Sequence, residues 1–479
     1  MRNTPLSGAG LLSVAALLSA APALAAGSWE FTTSLPVGKT SSFAVVWNGD
    51  VYVVGGAPWR NGNDKDGSVF RLADGVWSEA APLTGMGPII NQVGGVDSLN
   101  RIIVFAGHDS TNGDLGSARA YTPVDGTTEE LTDAINYAFD NVATAVDGQH
   151  RIYRMGGGPG ASGFNYGGVA RYDGAADSWQ ALAYLPYTRA SVATAYDGQG
   201  RIWGFGGYTS FGLPRLYDTI RYDIATDTWT TLGGSYLPVQ TSNAKAVTGA
   251  DGRVYVIGGL IGTTTAGTST ANVWILENTA NPGPLVAGLP LNVARHDFAA
   301  VLAPDKFIYV IGGNSTFGDV STSVERIYTG ECPWIQSQSG NATVDPGATL
   351  TLTVDAAGDA PLTYQWSRDG VDLANGPTGT GSVVAGATST TLTITNVSAA
   401  DQGTYLVSVT NPCTTAPGEE ITVTVGGSLP GDYNHDGHVD GADLGQLLGA
   451  WGTSNAAIDL TGDGVVNGAD LGALLGYWG

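Results

Sequence analysis

The chain has 479 residues, too many for one ordinary domain, so roughly two to four folding units are expected. Asp and Glu number 43 against 20 Lys and Arg, a formal charge of −23, which argues against nucleic acid and anionic membrane surfaces as partners, because both are held through cationic contacts. Gly accounts for 71 residues and charged residues for only 13%, while 43% are hydrophobic; such a chain, rich in Val, Thr, Trp and Tyr, is not disordered and reads as mostly all-β. Two cysteines are too few for a disulfide scaffold or a four-cysteine zinc site.

Taken in chain order, residues 1–26 read as a secretory signal peptide. Arg2 gives a positive start, Gly10 to Ala21 an apolar run, and Ala23-Leu24-Ala25 a cleavage site. The run is shorter than the ~20 residues of a membrane span, and no later stretch is long and apolar enough to be one. A secreted protein, extracellular or at the cell surface, is therefore expected, with a charge of −24 once Arg2 is removed.

Residues 27–331 carry a sixfold repeat. Apolar segments ending in a pair of small residues recur as VYVVGG (51–56), IIVFAG (102–107), RIYRMGG (151–157), RIWGFGG (201–207), RVYVIGG (253–259) and FIYVIGG (307–313). The second residues of the pairs are Gly56, Gly107, Gly157, Gly207, Gly259 and Gly313, an almost constant period. Turn signals such as Asn48-Gly49-Asp50, Asp147-Gly148, Asp197-Gly198 and Asp251-Gly252 precede several of these strands, because Asx-Gly steps accept the positive φ of tight turns. The segments VARYD (169–173) and TIRYD (219–223) precede Trp179 and Trp229, with Trp77 placed similarly, so each unit reads as four short antiparallel strands. SWEFTTSLP (28–36) matches the tail of a unit, as in SWQALAYLP (178–186), whereas the beginning of its own unit lies near 298–328. The N-terminal strand is therefore expected to complete the last unit and cover its edge.

A four-stranded repeat of about 50 residues with a double glycine resembles the kelch repeat. The resemblance implies a six-bladed β-propeller over 27–331, with glycines where backbones crowd near the axis. The second unit departs from the pattern, with Ala106-Gly107 and no matching Trp. The segment has no cysteine, which excludes the Tyr–Cys crosslink of galactose-oxidase-like kelch enzymes, and His108, His150 and His296 are scattered among units. Kelch propellers bind proteins or sugars in some families and carry enzymes in others, so the fold alone does not assign an activity. Lys39, Arg189 and Arg295 stand at nearly the same offset ahead of the first glycines of their pairs, Gly55, Gly206 and Gly312. With His296 they form the candidate ligand-binding set. Two readings are open: convergence on a central pocket for a carboxylate or acidic sugar, or strand ends paired with local Asp or backbone. Trp59, Tyr187, Tyr208 and Phe211 either stack on sugar rings or pack the blades.

Residues 332–427 lose the glycine pairs and alternate instead: TLTLTV (349–354), LTYQW (362–366), TLTITNV (391–397), TYLVSVT (404–410) and ITVTV (421–425). Trp366 and the run Asp401-Gln402-Gly403-Thr404-Tyr405 resemble the core Trp and tyrosine corner of an immunoglobulin-like β-sandwich. The family's two core cysteine positions fall near Leu352 and at Val407, so apolar packing takes the place of that bridge. Cys332 and Cys413 are expected to form a disulfide elsewhere, as an even pair in an exported protein. Such domains mostly space or present other modules.

Residues 428–431 close a Gly/Ser/Pro linker that begins at Gly426, and residues 432–479 carry a duplicated motif: DYNHDGHVDGAD (432–443) and DLTGDGVVNGAD (459–470). Each has oxygen-bearing side chains at positions 1, 3, 5, 9 and 12 and glycine at position 6, the spacing of a calcium loop. Candidate ligands are Asp432, Asn434, Asp436, Asp440 and Asp443 with the His438 carbonyl, then Asp459, Thr461, Asp463, Asn467 and Asp470 with the Val465 carbonyl. Two calcium ions would cancel four of the charges on the seven Asp of 428–479, a stretch without Lys or Arg, so ordering is expected to need calcium. Asp at position 12 and one helix after each loop, marked by Leu444, Leu447 and Leu448 and again by Leu471, Leu474 and Leu475, resemble a type I dockerin. That resemblance implies docking to a cohesin-like or cell-surface partner in polysaccharide utilisation. Loop positions 10 and 11, which help to choose the cohesin, are Gly441-Ala442 and Gly468-Ala469, without hydroxyls.

The expectation is thus an exported, modular, calcium-binding protein whose propeller recognises a glycan or protein ligand. No paired carboxylates with acid/base geometry stand out, which favours a binder over the alternative of a carbohydrate-active enzyme, either an O-glycosyl hydrolase or a sugar epimerase. A structural surface protein is the third reading.

Overall fold

The computed structural model describes residues 28–479 apart from 59–66, 84–88, 106, 110–112, 115–117, 133–140, 159–164, 211–213, 234–235, 263–266, 317–318, 427–429 and 435–437. The signal segment 1–26, Trp59, Phe211, Asp436 and half of the linker lie outside the described residues. The molecule is mostly β, and among the described residues its two α-helices both lie near the C-terminal end. No described helix is long and apolar enough to cross a membrane.

Among the described residues, 28–331 form six four-stranded antiparallel sheets. The fourth is typical: Ala193–Tyr196, Arg201–Phe205, Thr219–Asp223 and Thr228–Leu232 pair in chain order. The sixth takes Ala299–Leu302, Phe307–Ile311 and Val324–Tyr328 from its own unit and its outer strand, Glu30–Thr32, from the N-terminal end of the described chain. First strands of successive sheets lie side by side, and that of the sixth sheet (Ala299–Leu302) lies beside that of the first (Phe43–Trp47). An apolar cluster fills each seam; the one between the sixth and first sheets packs Ile311 and Val324 against Val53 and Phe70. Each such side chain, once fully buried, contributes about 1.5–3 kcal/mol.

Short-range chemistry explains the recurring parts. The turn aspartates Asp97, Asp147, Asp197 and Asp251 accept backbone N–H groups from their own turns. Asp97, Asp147 and Asp251 also grip the Arg that opens the next strand, Arg101, Arg151 and Arg253. The outer-strand tryptophans staple neighbouring units: Trp77 Nε1 donates to Thr33 O, Trp179 to Thr132 O and Trp229 to Ala183 O, at 2.9–3.0 Å. Trp29 does the same to Leu289 O at 2.9 Å, so it serves as the outer-strand Trp of the sixth sheet. The second glycines Gly56, Gly207, Gly259 and Gly313 permit a close backbone approach. Gly207 has φ +91°, and a Cβ there would sit 2.6 Å from Ala190 O, the carbonyl that accepts the Tyr208 N–H.

Residues 334–425 form a two-sheet sandwich. One sheet is built on Leu350–Ala357 and Thr391–Thr395, the other on Thr363–Arg368, Gly403–Thr410 and Ile421–Val425. Trp366 is fully buried and donates Nε1–H to Ser389 O at 2.9 Å. Tyr405 Oη donates to Asp401 O at 2.6 Å, the corner hydrogen bond of this sandwich type. Leu352 and Val407 pack in the core, while the disulfide joins Cys332 to Cys413 at one end, with a sequence separation of 81. Closing such a loop adds at most roughly 4–5 kcal/mol. At the same end Asp359 accepts from Lys306 Nζ, Tyr328 Oη and the Glu331 N–H. Burial raises its pKa, but these donors outweigh that and hold Asp359 below the usual carboxylate range. The sandwich is therefore fastened to the sixth sheet by charge as well as by the chain.

Candidate functional site

The C-terminal segment is built around helices α1 (Gly441–Gly449) and α2 (Gly468–Gly476). Asp440 and Asn467, at equivalent places in the duplicated motif, cap them by accepting the N–H of Ala442 and Ala469. The apolar faces meet in a small core of Val439, Leu447, Ile458, Val466 and Leu474. The halves are tied reciprocally: Gly452 N–H donates to Val466 O and Gly479 N–H to Val439 O, at 2.8 and 3.2 Å.

The loops ahead of these helices gather the carboxylates. Asp443 is fully buried and accepts N–H groups from Tyr433, Asn434 and Asp440 at 2.8–3.1 Å. Burial alone would raise its pKa, yet these donors lower it. Asp470 holds the same place in the second loop. It accepts the N–H groups of Asn467 and Thr461 and the Thr461 hydroxyl, which bring its pKa down to about 2. Oxygens of Asp459, Asp463 and Asp470 lie within 4.8 Å of one another. Asp432 is also buried, whereas Asn434, His438 and Asp440 are exposed. No Lys or Arg occurs in 428–479, and among the described residues no ion pair reaches Asp443 or Asp470. Clustered anions with oxygen-only ligands and no internal counter-charge fit a hard divalent cation such as calcium.

The four candidate residues of the six-sheet region each have partners among the described residues. Lys39, Arg189 and Arg295 are each buried. Lys39 Nζ donates to Ser68 Oγ at 2.6 Å and lies over the Phe70 ring. Arg189 makes a bidentate pair with Asp218 at 3.1 and 2.9 Å. Arg295 pairs with buried Glu325 at 2.6 Å and donates to Gly312 O and Ser323 O. Each cation therefore ties the approach to its first strand to the start of its third, within one unit. His296 Nδ1 lies 2.9 Å from Ser269 Oγ, and its Nε2 lies 3.7 Å from Asp297. Tyr187 is exposed, and Tyr208 forms bridges to Ala190 and Arg215.

Sequence reasoning missed a different set. Ser41, Asn91, Asn141, Ser191, Asn243 and Asp297 recur once per unit, just before the first strands and in step with the glycine pairs. All six have φ between 52° and 57°. A belt of backbone bonds links them: Asn91 N–H to Ser41 O, Ser191 to Asn141, Asn243 to Ser191, Asp297 to Asn243 and Ser41 to Asp297, at 2.7–3.4 Å. Inside this ring a vestibule of 60 Å³ adjoins a channel of 420 Å³ walled by the first strands of all six sheets. The signal was available as a polar residue at constant phase in the repeat.

Residues 333–411 match the family described as immunoglobulin domain, and this part of the chain is an immunoglobulin-like domain. No curated protein matches the chain.

Proposed function

We propose that the chain is an exported, modular, calcium-dependent binding protein. In this reading the six sheets are the blades of a kelch-type β-propeller that binds a glycan or protein ligand. The immunoglobulin-like domain spaces it, and a dockerin-like tail with two calcium ions anchors it to a cohesin-like or cell-surface partner in polysaccharide utilisation. The propeller reading is supported by six filled seams, one of them between the sixth and first sheets, and by the polar belt. Export agrees with the disulfide, since such bonds persist in oxidising compartments.

The observation that carries the calcium reading is the pair of buried, uncompensated carboxylates Asp443 and Asp470, at the same position of two duplicated loops. Asp432, Asn434, Asp436, Asp440, Asp443 and the His438 carbonyl would hold one ion. Asp459, Thr461, Asp463, Asn467, Asp470 and the Val465 carbonyl would hold the other. Calcium supplies the missing positive charge and fixes the loops; the helices then present their outer residues at a set angle.

The test uses the full chain with calcium on arrays of polysaccharides and extracellular proteins, followed for new reducing ends. Retention of a ligand without cleavage is expected. Sustained release of reducing ends would replace the binder with a glycoside hydrolase.

A further inference from the structure

Two residues after the ring position, five of the six units place an apolar residue: Phe43, Val93, Ala143, Ala193 and Ala299, all buried. The fifth unit places Lys245 there. Alanine satisfies the packing in three units, so lysine is not required to fill space. Lys245 borders both the vestibule and the channel. Among the described residues no carboxylate lies within ion-pair distance of it. Asp297 acts on it from farther away, and Asp297 Oδ1 is already taken by Asn243 Nδ2 at 2.6 Å. The other titratable groups on the channel wall are His150 and Tyr196, and the rest is Val, Ala, Gly, Thr, Leu and Phe. A lone ammonium in such surroundings is costly unless an anion meets it. Lys245 is half-buried, and desolvation pushes its pKa down.

The vestibule is rimmed by Ser41, Asn91, Asn141, Ser191 and Asn243, which carry hydroxyls and amides. One cation and a rim of amides and hydroxyls ask for one anionic group and several hydroxyls in the same ligand. A volume of 420 Å³ lies within the range of small-ligand sites.

We propose that the vestibule and channel bind a small polyhydroxylated carboxylate, its carboxylate on Lys245 and its hydroxyls on the polar ring. This rests on the reading of the six-sheet region as a ligand-binding module and names the chemistry that its centre selects.

The test is calorimetry on the full chain with D-glucuronate and D-gluconate, and with D-glucose and acetate as partial ligands. The two acids should bind more tightly than either partial ligand. Lys245→Met should weaken the acids about tenfold or more and leave glucose unchanged, while Lys245→Arg should retain part of the affinity. As a check that needs no variant to fold, the chain's four lysines (Lys39, Lys65, Lys245 and Lys306) can be ¹³C-methylated reductively. The resonance of Lys245 should then move on adding D-glucuronate, while that of Lys306, far along the chain beside Asp359, stays in place. Equal affinity for the acids in Lys245→Met, or no acid binding with an unmoved Lys245 resonance, overturns the proposal. If ligands are still retained on the arrays, the failure is confined to this site; if none is retained, the module reading falls with it.

Discussion

Arg295 and Glu325 are both shut off from solvent, and their pairing sets the cost of losing either. Replacing Arg295 with Met strands a buried carboxylate, and the variant should be destabilised by roughly 3–5 kcal/mol in urea unfolding. An unchanged midpoint would show that the pair does not hold the sixth sheet. Asp470 gives a pH prediction whose sign is fixed by its lowered pKa. Its contribution is complete above the unfolded carboxylate value of about 3.9 and is lost as the pH falls toward about 2. With calcium saturating, the helical circular dichroism contributed by the tail should therefore hold down to a pH of about 4 and fall away below it. At this scale the sequence was informative where a residue's role is local. Trp366 and Tyr405 could be read directly, because spacing along the chain fixes their neighbours. Arg189 could not be read this way, since Asp218 lies well downstream and nothing local announces the pairing.

At the scale of elements, the second glycine of a pair is a backbone requirement. Gly207→Ala would set a Cβ 2.6 Å from Ala190 O at φ +91°, and a loss of about 1–3 kcal/mol is expected in thermal or urea unfolding. Gly233, where an added Cβ meets nothing within 4 Å, is the control and should tolerate alanine. The third strands VARYD and TIRYD run over the residues that their pattern predicts. The glycine pairs were legible as crowding, but the crowding partner was not. It is the carbonyl just ahead of the polar ring, on the approach to the first strand of the same unit. The ring escaped notice because its side chains vary among Ser, Asn and Asp while the backbone conformation stays constant. In the tail, Asp443→Asn and Asp470→Asn should each remove one calcium ion from the two expected in native mass spectrometry.

For the whole molecule, the six sheets, the sandwich and the helical tail follow from three changes of period: a long repeat marked by glycine pairs, an alternation along each strand and a shorter duplication of acidic loops. What these periods cannot give is the content of the centre. Lys245 sits where five of six units are apolar, and only the arrangement of all six sheets brings it to the same vestibule as Asn91, three units earlier in the chain. The central claim is that binding and anchoring are separate, with anchoring conditional on calcium. Hydrogen–deuterium exchange of the full chain with and without calcium tests it most directly. The account predicts strong slowing confined to 432–479, with 28–425 unchanged. Exchange in 432–479 that is the same in millimolar calcium as in chelator would contradict it.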